Sequence, residues 1–363
     1  MKIIRFLLLA LNGIAVIQLL LTYCTYCFSP HTIWYFEFIA LGYPVYLVIN
    51  IGFIVFWLFT KQKRHALISF IFIALGYNTL FSFIQFGTTK KPTKDTDSFT
   101  LITYNVDAFN CKGWKNRPKV QKDVFTYLQQ EQADIICFQE FHYDTKESFR
   151  LLDSIIKNFN MQHKAMYHFH SIPRRYFYGN IILSRFEIVN QGIFEFQKKG
   201  NSGVWADIVI EHDTVRIFNV HLESYRLTPH NISTIEDGVH SQKHHVKEYS
   251  SITKKMRNAI KNRYVQTEEL IAFFAQTPYK IFLCGDFNAP PYSNTYRNLK
   301  KASHTKDAFL SAGHGIGGTL HWNLPSIRLD YVLYPKQWKA VEYRSKKQNL
   351  SGHYPISVKI CRN

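Results

Sequence analysis

YKIFLCGDFN, residues 279–288, is a short apolar run that closes on a glycine and two polar side chains. A strand buried on both faces has this composition, because neither face needs to alternate with solvent. Residues two apart in an extended chain point the same way, so Asp286 and Asn288 can hold a water or a phosphate oxygen between them. Asp and Asn at a strand end also make turns. One such pair decides little until similar places are found elsewhere.

Seven further runs have the same character: FTLITYNV (99–106), ADIICFQE (133–140), YGNIILSR (178–185), VWADIVIE (204–211), TVRIFNVHLES (214–224), RLDYVLY (328–334) and HYPISVKI (353–360). Between them lie amphipathic stretches. Lys119–Gln132 carries Val120, Val124, Tyr127 and Leu128 at helical spacing, and Lys146–Phe159 and Tyr264–Phe274 are similar. Runs 204–211 and 214–224 sit close enough for a hairpin turning at His212-Asp213, whereas others are separated by helices. The expectation is an α/β (α+β) domain with a mixed sheet or a two-sheet sandwich.

Asn105, Glu140, His221, Asp286, Asn288, Asp330 and His353 all fall at or near an end of these runs. A strand end is where a rigid scaffold presents side chains to a cleft. A hard divalent cation takes one or two carboxylates plus waters and substrate oxygens. Glu140 is the best ligand candidate, with Asn105 completing the set. Asp330 and His353 can form a carboxylate–imidazole pair, in which the acid fixes the tautomer and raises the ring's basicity. His221 is a further donor to a phosphoryl oxygen. Phosphoryl transfer needs a metal, a positioned water and donors where charge develops.

In this order the pieces TYNV, ICFQE, GNIILS (179–184), NVHLES, CGDFNAPP (284–291), RLDYVL and GHYPI resemble the endonuclease/exonuclease/phosphatase superfamily, whose fold is that of deoxyribonuclease I. The resemblance runs from about Phe99 to Ile360. It implies a two-sheet, four-layer α/β sandwich that hydrolyses phosphodiesters or phosphomonoesters with Mg²⁺ or Mn²⁺. It implies Glu140 and Asn105 at the metal, Asp286 activating water, Asn288 orienting the phosphate, His221 stabilising the transition state, and Asp330 paired with a catalytic His353. Asn180 and Arg328 are expected to bind substrate. One departure stands out. The family usually has Ser-Asp-His before Tyr-Pro, and here it is Ser351-Gly352-His353. An alternative metal-binding carboxylate is therefore missing, which implies a weaker metal site or a slower enzyme.

The first 88 residues differ in kind. They hold five Lys/Arg and one acid, Glu37, leaving 39 basic and 25 acidic residues, a net +14, for the remainder of a chain whose total is +18. Three apolar runs, 3–28, 32–59 and 65–86, each exceed the roughly 20 residues that a helix needs to cross a bilayer. They predict a membrane anchor over 1–88 with three transmembrane helices, a polar linker over 89–98, and a catalytic domain over 99–363. No small-x-small cleavage site marks the first run as a signal peptide. Lys2 and Arg5 before the first run and Lys61, Lys63 and Arg64 between the second and third place the N-terminus in the cytoplasm by the positive-inside rule. Lys90, Lys91 and Lys94 argue the other way. With three spans the domain faces outward, on the periplasmic side of a bacterial inner membrane. Glu37, Asn50, Cys24 and Cys27 lie in these runs and read as packing or interfacial residues rather than as a membrane site.

Six cysteines are too few for a disulfide scaffold. Cys137 and Cys284 read as buried thiols, Cys111 and Cys361 as exposed ones. Residues 226–263 read as a flap beside the site. His240 and His244 have helical spacing for zinc but no cysteine or nearby carboxylate to complete a set. The basic residues there, and Arg174-Arg175 beside Tyr176 and Tyr178, suit phosphates of a nucleic acid or a lipid surface. The sequence thus predicts a membrane-anchored, Mg²⁺-dependent phosphoesterase acting on nucleic acid or phospholipid at the bilayer. The rival is a non-catalytic domain that binds anionic ligands through the same cleft. No protein partner is indicated.

Overall fold

The computed structural model describes residues 2–87, 98–110, 113–172, 175–197, 202–228, 230–231, 233–234, 246–321 and 326–362. They form two compact units. One comprises Met1–Ser82, Glu223–Gln266 and Pro291–Thr295, the other Phe83–Leu222, Thr267–Pro290 and Tyr296–Asn363.

The second unit is built on two six-stranded sheets. Its strands are β1 (Gln85–Phe86), β2 (Ser98–Asn105), β3 (Ile135–Asp144), β4 (His163–Ile172), β5 (Tyr176–Ser184), β6 (Ile188–Glu195), β7 (Ser202–Ile210), β8 (Asp213–His221), β9 (Lys280–Asp286), β10 (Thr305–Asp307), β11 (His314–Gly315), β12 (Asp330–Pro335), β13 (Trp338–Ser345) and β14 (Ile356–Arg362). One sheet runs β13-β14-β2-β3-β5-β4, the other β10-β12-β9-β8-β7-β6, and β1 pairs with β11 alone. The β2–β3 and β8–β9 pairs are parallel, and the other sheet pairings are antiparallel. The sandwich expected from the sequence is present. The hairpin turns at Glu211-His212, since Ile210 pairs with Asp213.

Alternation along each strand feeds two different cores, which is why the runs read as continuously apolar. Leu101, Cys137, Ile182, Ile217, Phe282, Cys284, Val332 and Val358 meet between the sheets. Ile102, Tyr104, Ile136 and Ile181 face outward onto the helices Arg117–Glu131 and Leu151–Phe159 through Val120, Val124, Leu128 and Ile155. On the other sheet Phe218, Leu283 and Leu333 pack on Leu270, Phe274, Tyr296 and Leu299. The result is a helix–sheet–sheet–helix stack. Each fully buried Leu, Ile or Phe contributes roughly 1.5–3 kcal/mol. Cys137 and Cys284 are buried as expected. Cys361, on β14, is buried too, and its expected exposure is corrected. Cys111 lies outside the described residues.

The first unit is helical. Apolar run one forms the helix Lys2–Tyr23. Run two breaks into Tyr35–Ala40 and Tyr43–Leu58. Gly42 and Pro44 explain the break, since Gly is a weak helix former and Pro lacks the N–H that would continue the ladder. Run three breaks at Gly76 into Ala66–Leu75 and Tyr77–Phe83, bent by 71° over the pair Lys63–Leu75 and Tyr77–Phe83. Among the described residues one helix, Lys2–Tyr26, is long and apolar enough to cross a membrane, or two if the bent pair is one span. Tyr43–Leu58, at 16 residues, reaches about 24 Å, short of the roughly 30 Å hydrocarbon layer. The expectation of three full spans is corrected to that extent.

Inside this unit a polar network sits among buried apolar side chains, and the exterior is apolar. Asn12 donates to Ser69 at 2.6 Å, Ser69 donates to Asn50 at 2.8 Å, Asn50 donates to the Ala15 carbonyl at 3.0 Å, and Trp57 Nε1 donates to Asn12 at 3.1 Å. Phe6, Leu11, Ile17, Val48, Phe59 and Phe70 point outward and are exposed. From Val246 the stretch expected to be a flap is helix, continuing to Phe274. His240, His244 and His245 lie outside the described residues, as do Arg174, Lys90, Lys91 and Lys94.

Candidate active site

The register of the strands brings one end of each sheet's functional residues together. Asn105 ends β2 and His221 ends β8. His221 lies beside Asp286 at the end of the parallel β9, and Asp286 pairs across to Asp330 at the start of the antiparallel β12. His353 precedes β14, whose first residue Ile356 pairs with Thr103 on β2. Glu140 is not a strand end. It sits at φ +52° in a bulge between Phe138 and Phe141, and β3 continues to Asp144. A bulge re-aims one side chain without ending the strand.

Asn105 is the centre of the cluster. Its Nδ2 donates to Glu140 Oε1 at 3.2 Å and to Asp286 Oδ2 at 3.1 Å. His221 Nε2 lies 3.6 Å from Glu140 and 3.8 Å from Asp286. His353 Nδ1 is 2.8 Å from Asp330 Oδ2, and its Nε2 is 3.7 Å from Asp286 Oδ2. Asn288 donates from its backbone to Asp286 Oδ1 at 2.8 Å, and from Nδ2 to Asp286 Oδ2 at 3.2 Å and to the Leu222 carbonyl at 2.9 Å. The φ of +50° at Asn288 turns the chain back toward Asp286, and Asn tolerates this conformation better than most residues. All seven residues named from the sequence therefore meet in one place.

The electrostatics divide the carboxylates into two roles. Burial works against ionisation of Glu140, but His221 and the hydrogen bonds from Tyr178 and Asn105 hold its pKa below the usual range. Burial and then Asp330 push Asp286 upward, against His353 and His221. Burial disfavours a charged His353, yet Asp330 and Asp286 carry its pKa up to about 10. The imidazolium is thus the stable form, held by a carboxylate at Nδ1 and free to donate from Nε2.

Two participants escape the sequence reading. Tyr178 Oη donates to Glu140 Oε2 at 2.9 Å. Asp107 is exposed by its accessible surface, yet the desolvation around its carboxyl, then Glu140, raise its pKa to about 6. Its φ is +45°, and its backbone N–H donates to Asn105 Oδ1 at 3.1 Å. A Cβ built on Gly352 would have one neighbour within 4 Å outside its own chain neighbours, Asp107 Oδ2 at 4.0 Å. Asp107 was visible as the residue two after Asn105, the same spacing that links Asp286 to Asn288. Only the left-handed turn brings it back to Glu140.

Asn180 and Arg328 do not join the cluster. Asn180 is fully buried and donates to the Ser202 carbonyl at 3.0 Å. Arg328 is in the core, 2.7 Å from Asp307 and over the rings of Phe309 and Tyr331. The expected contact of Arg328 with substrate is corrected, since its guanidinium is committed to Asp307, and Asn180 is enclosed in the fold with its Oδ1 lacking a hydrogen-bond partner among the described residues. Arg328→Met leaves Asp307 as a buried charge without its guanidinium partner. Its expected cost is about 3–5 kcal/mol in chemical denaturation, because the stranded carboxylate loses its compensation. An Arg328→Met protein as stable as the wild type would return Arg328 to a functional role.

Two donor sets here are chemically able to hold a cation. Asp286, Asp330 and His353 place ligand atoms within 4.8 Å of one another. His353 Nδ1 is already committed to Asp330, however, and hard cations prefer oxygen. Glu140 and Asp107, close enough for Glu140 to raise the Asp107 pKa, offer an all-oxygen alternative with the Asn105 amide, whose Oδ1 already accepts from the Asp107 N–H.

The sequence profile of the Endonuclease/Exonuclease/phosphatase family matches residues 102–347, more than half of the chain, and a domain of unknown function matches residues 5–83. No curated protein is a significant match. The structure of an endonuclease/exonuclease/phosphatase family protein from Leptotrichia buccalis has a TM-score of 0.50 at 18% identity, covering 72% of this chain and 99% of that one. Another from Beutenbergia cavernae has 0.49 at 14% identity, covering 73% and 72%. A third, from Bacteroides thetaiotaomicron, has 0.48 at 14% identity, covering 74% and 99%. With the profile match over more than half of its length, this chain belongs to the endonuclease/exonuclease/phosphatase family.

Proposed function

We propose that the chain is a membrane-anchored, divalent-metal-dependent phosphoesterase that cleaves phosphodiester bonds. Members of the family are generally hydrolases of phosphoester bonds and generally use divalent metal ions. The observation that carries the reading is Asn105 bridging Glu140 to Asp286, with His221 and His353 each within 4 Å of Asp286. The rival, a non-catalytic anion-binding domain, gains nothing from a buried acid wedged between two imidazoles.

In the proposed mechanism Asp286 takes the proton of the attacking water. Asn288 and Asn105 hold its carboxylate by three hydrogen bonds. His353, kept protonated by Asp330, and His221 donate to phosphoryl oxygens as the water oxygen bonds to phosphorus and the P–O bond to the leaving alkoxide breaks, the alkoxide taking its proton from solvent water. Glu140, Asp107 and Asn105 would hold the cation, which when bound supplies charge neutralisation at the phosphate. Asp107 takes over the part of the carboxylate absent at Gly352.

The inside-out character of the first unit supports the anchor, with hydrogen bonds inside and large apolar side chains outside. With Lys2 and Arg5 at the cytoplasmic end of a single crossing by Lys2–Tyr26, the positive-inside rule favours a catalytic domain on the periplasmic side of an inner membrane. A periplasm-dependent reporter fused after residue 363 is expected to be active, and cytoplasm-only activity would reverse the topology. The substrate is proposed to be a nucleic acid or a phospholipid. The test is turnover of bis(p-nitrophenyl) phosphate, DNA and sphingomyelin by the full chain, with and without Mg²⁺. Metal-dependent hydrolysis lost in His353→Ala is expected. Ligand binding without turnover of any of the three favours the rival.

A further inference from the structure

His221 and Asn288 are followed almost at once by segments that pack with the apolar helices. Glu223–Gln266 and Pro291–Thr295 both belong to the first unit. Within that unit Pro291–Thr295 is held to the apolar helices by polar contacts, and Glu223–Gln266 is closed by contacts of its own. Glu37 Oε1 accepts from the backbone N–H of Asn294 at 2.6 Å. Thr25 Oγ1 donates to the Tyr292 carbonyl at 3.1 Å, and the Tyr292 ring packs on Tyr43 at 5.1 Å. Glu223 N–H donates to Gln266 Oε1 at 2.8 Å, and Arg263 donates to the Glu223 carbonyl at 2.6 Å.

Glu37 is the one acid in the first 88 residues, and it is 8% exposed. A buried carboxylate is costly unless hydrogen-bonded. Its partner Asn294 opens the helix Asn294–Ala302, so the acid meets both an N–H without an intrahelical acceptor and the positive end of the helix dipole. Six residues upstream of Asn294 is Asn288. Between them Pro290-Pro291 restricts the backbone, and Tyr331 Oη fixes the Ala289 carbonyl at 2.7 Å. A displacement at Asn294 therefore has little slack in which to dissipate before it reaches Asn288 and the hydrogen bonds that hold Asp286.

We infer that the apolar helices are part of the catalytic apparatus as well as an anchor, and that Glu37 is a positioning residue for the Asp286–Asn288 strand exit. It acts through the helix start at Asn294 and not on substrate. The kinetic side of the inference rests on the proposed hydrolase function. The structural side does not.

The experiment uses the full chain in lipid nanodiscs and a double-mutant cycle of Glu37→Ala with Asn294→Pro. Proline is well tolerated at the first helical position and deletes the N–H donor together with the Asn side chain, so Asn294→Ala, which keeps the donor, serves as the control. Each single variant is expected to lower kcat by roughly 10–100-fold, as small misplacements of a catalytic group do, with KM changed much less. The double variant is expected to be no worse than either single one. Glu37→Gln keeps an acceptor oxygen at the same reach and is expected to restore most of the rate. Amide exchange over 289–298 is expected to speed up in both single variants. Multiplicative losses, unchanged kcat, or unchanged exchange in Asn294→Pro would overturn the inference, and that variant decides the matter if Glu37→Ala does not fold. If the wild type hydrolyses nothing, the exchange result still judges Glu37 while the hydrolase reading fails by itself.

Discussion

Asp286→Asn is expected to abolish turnover almost completely, with kcat lower by roughly 10²–10⁴-fold, the range for loss of a positioned general base. The substitution keeps the shape and leaves an oxygen for Asn288 to bond. It removes the negative charge that faces both His221 and His353 at under 4 Å. KM should change little, because the base acts in the transition state and not in ground-state binding. Steady-state kinetics on bis(p-nitrophenyl) phosphate are the measurement. Retention of more than a tenth of the rate would move the base elsewhere.

The same pair sets the pH profile. Asp286 works ionised, and burial with Asp330 raises its pKa, so the acid limb of kcat/KM is expected above the ordinary aspartate range near 4. His353 works protonated and has its pKa near 10, so the alkaline limb is expected there. In Asp330→Asn the His353 pKa falls for want of its carboxylate, and the alkaline limb should move toward neutrality. The sign for stability follows from linkage. The folded pKa of His353 lies above its unfolded value near 6.5, so the pair stabilises the fold fully below about 6.5. That contribution is lost as the pH rises toward 10. An alkaline limb that stays in place in Asp330→Asn would assign it to another group.

What was legible in the sequence, and what was not, follows from how each residue is placed. Asn105, His221, Asp286 and Asp330 are positioned by strand register alone. A strand end is visible as the point where an apolar run stops, and both faces of these runs are apolar because each packs on a core. Glu140 was found although its strand runs on through a bulge, which leaves no mark in the composition. Asp107 was missed because its place depends on three successive positive-φ residues, Asp107, Ala108 and Phe109, and Ala and Phe do not announce such a turn. Arg328 was misplaced for the opposite reason. Asp330, two residues on, joins the cluster, but Arg328 precedes the strand, so the rule that residues two apart share a face does not extend to it. The apolar runs predicted helices, but not the breaks at Gly42, Pro44 and Gly76, where local backbone chemistry overrides hydropathy.

The acid pair Glu140 and Asp107 yields the other large expected effect, and Gly352 makes it separable from simple damage. Glu140→Gln is expected to cut kcat by roughly 10²–10³-fold, the scale of losing one electrostatic stabiliser in a closed site. Asp107→Asn is expected to cost less and to raise the Mg²⁺ concentration needed for half-maximal rate. Gly352 has no positive φ, and a Cβ there would meet only Asp107 Oδ2, at 4.0 Å. Gly352→Asp can therefore direct a new carboxylate at the same cation without backbone strain. In the Asp107→Asn background it is expected to restore much of the lost metal affinity. In the wild-type background it adds a third negative charge to two that already repel, so the metal-free protein should melt lower while Mg²⁺ raises its Tm by more than in the wild type, since a ligand stabilises the state it binds. Thermal unfolding across a Mg²⁺ titration reads this without any substrate. If Gly352→Asp neither rescues Asp107→Asn nor enlarges the Mg²⁺-dependent shift, Asp107 is not the stand-in for the missing family carboxylate, and the cation belongs instead with Asp286, Asp330 and His353.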